Sequence, residues 1–136
     1  MKFYLICAGF ILCFRSTRAE TCLCVTYLIS ENGLLKENRM AYIAQILGDT
    51  RCDGDHIVKC KDLCIQVVDI WTNGYTTCSK FPSGLLVGDW MCQALNRNVC
   101  DERVGLFAES CGSDLLDTGI RFKERLCCKS GKSKHC

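Results

Sequence analysis

The chain has 136 residues, 14 of them cysteine, and its 17 basic and 15 acidic side chains leave a formal charge of +2. No nucleic acid is expected as a partner. The cysteine content points to a scaffold held by disulfides in an oxidising compartment.

Residues 1–19 begin with one early charge, Lys2. An apolar run from Phe3 to Phe14 follows, then a polar stretch with small residues at Thr17 and Ala19. This is the layout of a secretory signal peptide with cleavage after Ala19. The apolar run is shorter than the roughly 20 residues that span a bilayer. The best later candidate, Ile57 to Trp71, is interrupted by Lys59, Lys61 and Asp69. No stable membrane insertion is expected, and residues 20–136 read as one secreted, cysteine-rich domain, with no internal repeat and no linker.

Loss of the signal removes Cys7 and Cys13. It leaves Cys22, Cys24, Cys52, Cys60, Cys64, Cys78, Cys92, Cys100, Cys111, Cys127, Cys128 and Cys136. The even number allows every thiol to pair within a monomer, a covalent dimer being the alternative, and sequence assigns no connectivity. Charge is distributed unevenly: residues 20–120 carry 8 basic and 14 acidic groups, residues 121–136 six basic and one acidic.

In chain order, Val25, Tyr27 and Ile29 alternate with polar residues after Cys22 and Cys24, which predicts a short extended segment. In residues 34–48, Leu35, Met40, Ile43 and Leu47 stand near helical spacing, closed by Gly48, which predicts a first helix. The turn DTRCDGD offers Asp55 as a cap for a second helix, whose face recurs at Cys60, Cys64, Val67, Val68 and Trp71 and which ends at Asn73 and Gly74. Tyr75 to Cys78 is short and rich in β-formers, and a loop surrounds Pro82. A third helix is expected from Asp89, with Cys92, Leu95 and Val99 on one face. A fourth is expected from Asp101, with Val104, Phe107, Ala108 and Cys111 inward and Gly112 at its end. Ile120, Phe122 and Leu126 suggest a further extended stretch. The expected fold is a small disulfide-rich single domain, mainly α with about four short helices and a minor β component.

Cys60 and Cys64, four apart on a helix, share a face and can bridge neighbouring segments. Cys127 and Cys128 are adjacent, so each should pair elsewhere, as should Cys22 and Cys24. Both termini are then tied into the fold. Zinc at His56, Cys52, Cys60 and Cys64, or at His135 with Cys136, would need thiolates that stay reduced, so no metal is expected. Asp53 and Asp55 lack the remainder of a calcium loop.

Catalytic constellations are weak. Oxidised cysteines leave no nucleophile, and Ser130 or Ser133 with His135 lack a nucleophile elbow. The GKS at Gly131 has Leu126 where a phosphate loop needs glycine. Glu31, Asp53, Asp55, Asp101, Glu102 and Glu109 could serve glycoside hydrolysis only at a separation that sequence does not give. No catalytic residue, cofactor or enzymatic activity is expected.

Recognition remains. Arg121, Lys123, Arg125, Lys129, Lys132 and Lys134 surround three cysteines and would form a fixed cationic cluster, against the equally weighted alternative of a solubilising terminus. Such a cluster suits a channel vestibule, an anionic receptor face, a glycan or an anionic lipid surface. Trp71 and Trp90 are interface candidates, with burial the expected fate of both. No N-glycosylation sequon is present. The resulting order of function is a toxin-like ligand of an ion channel or receptor, then an extracellular signalling, reproductive or matrix protein, then an antimicrobial protein.

Overall fold

A computed structural model of the protein describes residues 21–47, 55–112 and 114–135, with side chains left out at 21 and 41–47. The signal sequence, Cys52, Asp53 and Cys136 lie outside the described residues.

The element order is β1 (Thr21–Ile29), a 3-10 turn (Lys36–Asn38), β2 (Arg39–Leu47), α1 (His56–Thr72), α2 (Val87–Leu95), β3 (Val99–Ser110), β4 (Leu116–Arg121), β5 (Leu126–Lys129) and β6 (Lys132–Ser133). The sheet is six-stranded and antiparallel in order β2-β1-β3-β5-β6, and β4 also pairs with β3. The mainly helical expectation is therefore wrong: two α-helices lie on a sheet.

The predicted first helix is instead the 3-10 turn followed by β2. Met40, Tyr42, Ala44 and Ile46 alternate along this segment as readily as the helical set recurs. Its β-branched and aromatic residues favour the strand, which pairs with β1 from Thr21↔Leu47 to Tyr27↔Arg39. The predicted fourth helix is β3, the long strand between β1 on one side and β4 and β5 on the other. Val104, Gly105, Leu106, Phe107 and Ala108 are all buried. A strand covered on both faces reads as a continuous apolar run, and such a run also satisfies helical spacing.

The second helix is found where predicted, with Cys60, Cys64, Val68 and Thr72 buried and Asn73 closing it in the left-handed conformation, but Trp71, expected on its inner face, is exposed, and Asp55 starts it without a side-chain cap bond. The third begins at Val87, two residues before Asp89. It ends at Leu95 with Asn96 as its left-handed cap, so Val99 belongs to β3.

The helices cover one face of the sheet. Cys22, Cys24, Leu28, Val104, Leu106 and Ala108 meet Cys60, Cys64, Val68, Met91 and Leu95 in one core, while Val25, Tyr27 and Phe107 form a second cluster on the opposite face. Two disulfides, Cys22–Cys60 and Cys24–Cys64, join β1 to α1 with Cα separations of 5.5 and 5.3 Å. Cys92–Cys128 ties α2 to β5, and Cys100–Cys127 joins β3 to β5. Cys78 and Cys111 are also disulfide-bonded, so every described cysteine is oxidised. Adjacent Cys127 and Cys128 pair elsewhere, as expected. Cys22 and Cys24 do too, although Cys60 and Cys64 clamp a single strand rather than two segments.

Gly88 lets the C-terminal hairpin lie against α2: a Cβ there would stand 2.7 Å from Ser133 Oγ and 3.2 Å from the Thr77 carbonyl oxygen. Gly88→Ala should cost about 1–3 kcal/mol in chemical denaturation, as overpacking does. Thr26 is fully buried, and its hydroxyl has no hydrogen-bond partner among the described residues. Thr26→Val, which removes an unsatisfied polar group at nearly constant shape, should be neutral or raise stability by about 1 kcal/mol in the same assay.

Candidate recognition surface

Trp71 sits in the last turn of α1 and is 47% exposed, and its neighbour Ile70 is 79% exposed. The loop from Asn73 to Leu86 then carries Phe81 to a place between the two tryptophans. The Trp71 and Phe81 rings meet edge to face at 6.3 Å, and the Phe81 and Trp90 rings at 5.6 Å. Trp90, on α2, is half-buried. A row of three aromatic rings thus runs from the exposed Trp71 to the half-buried Phe81 and Trp90.

The loop that builds this row is held from several directions. The Thr72 hydroxyl donates to the Val68 carbonyl at 2.6 Å and accepts the Tyr75 N–H at 3.0 Å, and Ser79 Oγ donates to the Thr72 carbonyl at 2.8 Å. The Tyr75 hydroxyl donates to the Ile65 carbonyl at 2.6 Å. Burial and the Asp69 charge, in that order, push its pKa above the ordinary value. Glu124 reaches across from the β4–β5 connection and accepts from Thr76 Oγ1 at 2.6 Å, the Thr77 N–H at 2.8 Å and Thr77 Oγ1 at 3.1 Å. The Val87 and Gly88 N–H groups donate back to the Ser79 and Thr77 carbonyls, at 2.9 and 2.8 Å. At the tip, Gly84 N–H donates to the Phe81 carbonyl at 2.8 Å, closing a turn with Pro82 at its second position, where a fixed φ is favourable. Phe81 is therefore presented by a braced loop.

The basic residues are distributed differently from a single cluster. Arg121 makes a bidentate pair with Asp117, at 2.9 and 2.7 Å, and stands 5.8 Å from the Phe107 ring centroid, over the face opposite the helices. Arg125 pairs with Asp101 at 3.7 Å, and Lys132 with Asp89 at 3.7 Å. Asp89 also accepts the Ser133 N–H at 2.8 Å, so its carboxylate anchors β6 rather than capping the helix. Lys123, Lys129 and Lys134 are exposed and have no ion pair among the described residues.

Of the acids considered for hydrolysis, Asp101 is held by Arg125 and Glu109 lies 3.8 Å from Arg39. In the zinc set, Cys60 and Cys64 are in disulfides. Two groups of potential ligands, Cys22 with Cys24 and Cys64, and Cys100 with Cys127 and His135, draw all their sulfurs from disulfides. No described helix is long and apolar enough to cross a membrane.

A scan of protein-family models, a search of curated proteins and a search of solved structures each return no match for this chain. The site is therefore read from its own geometry. Sequence reasoning named Trp71 and Trp90 singly and missed Phe81, which a fold brings between them. The one available signal was an aromatic residue beside the chain's only proline, in a loop joining the two tryptophan-bearing helices.

Burial tends to raise the Glu124 pKa, but the hydrogen bonds from Thr76 and Thr77 outweigh it and hold the carboxyl below its ordinary 4.5. The Arg121 hydrogen bond leads the causes that hold Asp117 below its ordinary 3.8. For both, the folded pKa is depressed. Their contribution is complete above the ordinary values and drains as pH falls through the folded ones. Denaturation curves from pH 7 to 2 should show that loss below about pH 4.5. Glu124→Ala should flatten part of it while lowering neutral stability by about 2 kcal/mol.

Proposed function

We propose that the protein is a secreted, disulfide-locked, non-enzymatic ligand that binds an extracellular channel or receptor through the Trp71–Phe81–Trp90 row. The observation that carries this reading is the aromatic row, exposed at Trp71 and partly buried at Phe81 and Trp90. Trp71 and Ile70 are turned to solvent on a helix whose inner face is clamped by two disulfides, and Phe81 stands on a loop braced by Thr72, Ser79 and Glu124. Aromatic anchors supply most of the binding energy in protein interfaces. Presentation on a rigid frame reduces the ordering cost of association. Secretion is supported by the signal-like first 19 residues and by the complete oxidation of the described cysteines.

Lys123, Lys129 and Lys134 serve in this reading to steer approach to an anionic partner face. The toxin-like role remains first. An endogenous extracellular ligand uses the same surface chemistry and stands second. Membrane disruption stands last, because three of the six tail cations are engaged by Asp117, Asp101 and Asp89, which leaves little of the cationic face that lipid binding needs.

The test is binding of the labelled, oxidised mature protein to a panel of cells expressing channels and receptors. Trp71→Ala and Phe81→Ala should each weaken the binding found by about 10- to 30-fold, mainly through faster dissociation. Lys129→Gln with Lys134→Gln should slow association and reduce its salt dependence. Undiminished binding by the Trp71→Ala, Phe81→Ala double variant would sink the proposal.

A further inference from the structure

We infer that the Cys100–Cys127 disulfide is an exchange site for anionic thiols, opened by attack at Cys100 with His135 carrying the proton. The inference does not depend on the binding role proposed above.

The four disulfides described above differ sharply in access. Cys22, Cys24, Cys60 and Cys64 are 0% exposed, and Cys92 and Cys128 are 1% and 2% exposed. Cys100 is exposed and Cys127 half-buried; of the two further disulfide-bonded cysteines Cys78 is also exposed and Cys111 half-buried, so access alone does not single out this bond, and what does is the group beside its sulfurs. The difference follows from the strand pairing. Between the pairs Val99↔Cys128 and Glu102↔Leu126, β3 spends one residue more than β5. Asp101 takes the left-handed conformation there, at φ 59°. A bulge of this kind bends the strand and breaks the local ladder, and it leaves Cys100 on the outside against Cys127. Because side chains alternate along β5, Cys128 enters the core while Cys127 faces the bulge.

Two further features converge on this bond. A ring nitrogen of His135 and the sulfurs of Cys100 and Cys127 all lie within 4.8 Å of one another. His135 follows Lys134, whose N–H donates to the Cys127 carbonyl at 2.9 Å and so holds this segment against β5. A shallow cleft of about 370 Å³ also opens over the disulfide, lined by Asn98, Val99, Cys100, Cys127, Lys129 and Lys134. The other charged groups on these elements are Asp101 and Arg125, which pair with each other, Lys132, which pairs with Asp89, Glu109, which faces Arg39, and Glu102 and Arg103. Lys129 and Lys134 are the cations that line the cleft itself, and they favour a thiol that carries carboxylates.

The chemistry is a balanced exchange. His135 takes the proton of the incoming thiol at its ring nitrogen. The resulting thiolate attacks Cys100 Sγ, a new S–S bond forms between it and Cys100, and the Cys100–Cys127 bond breaks with its electron pair passing to Cys127 Sγ. The imidazolium returns the proton to that sulfur. No external oxidant or reductant is consumed, and the product is a mixed disulfide on Cys100 with a free thiol at Cys127. Access and stabilisation of the leaving sulfur are the factors that govern such exchange.

The experiment treats the oxidised mature protein with limiting glutathione, or with the cationic thiol cysteamine at matched thiolate concentration. It quenches with iodoacetamide and maps the adducts by peptide mass spectrometry. The expected first product carries glutathione on Cys100 and alkyl on Cys127. It should form at least about tenfold faster than any opening of the buried pairs and several-fold faster with glutathione than with cysteamine. Lys129→Gln with Lys134→Gln should erase the preference between the two thiols. His135→Gln should slow opening by about tenfold or more, with the denaturation midpoint of the oxidised protein unchanged. First opening at any other cysteine, or equal rates for the two thiols with wild-type protein, would overturn the inference without a variant having to fold. Either result leaves the aromatic binding surface untouched.

Discussion

Four residues of an α-helix advance about 6 Å and two residues of a strand about 6.6 Å. On that near-equality the rest of this molecule depends. Cys60 and Cys64 on α1 stand at the same spacing as Cys22 and Cys24 on β1, so two disulfides close side by side. One bond would leave the helix free to pivot on the sheet. Two fix both its height and its direction along β1. The core then assembles around them, with Val68 and Met91 against Leu28, Val104 and Leu106. Each bond is worth about 2–4 kcal/mol against the unfolded chain, and the pair also determines which end of α1 carries Trp71 to the surface.

What could be read from the residues divides along one line. Elements whose two sides differ were legible: α1 has Cys60, Cys64 and Val68 within and Asp62, Gln66 and Asp69 without, and the capping residues Asn73 and Gly74 mark its end. The β3 strand has no polar side between Val104 and Ala108, so its sequence carries no period-two signal and satisfies helical spacing instead. For β2, two periods were both present in residues 39–47. The choice was made by β1, whose free edge needs a strand, and that requirement lies outside the segment itself. The count of cysteines announced a disulfide framework. The pairing needed the fold.

The candidate surface shows the same division. Trp71 and Trp90 are visible as residue types, whereas their row exists only because the loop returns Phe81 between them and Glu124, distant in sequence, braces that loop. Conversely, six basic residues close together in sequence do not make one positive surface. The strands carry Arg121 to the face opposite the helices and Lys132 to the start of α2, where acids of the body meet them.

The adjacency of Cys127 and Cys128 joins two kinds of error that are usually separate. Consecutive residues of β5 point to opposite faces, so a slip of one residue against β3 would turn Cys127 toward α2 and Cys128 toward the bulge. The bonds formed would then be Cys92 with Cys127 and Cys100 with Cys128. A disulfide isomer of this protein is in that respect a misaligned sheet made permanent, and the fidelity of its oxidation rests on the apolar fit of Leu126 and Cys128, which must choose the strand's inner side before the sulfurs close.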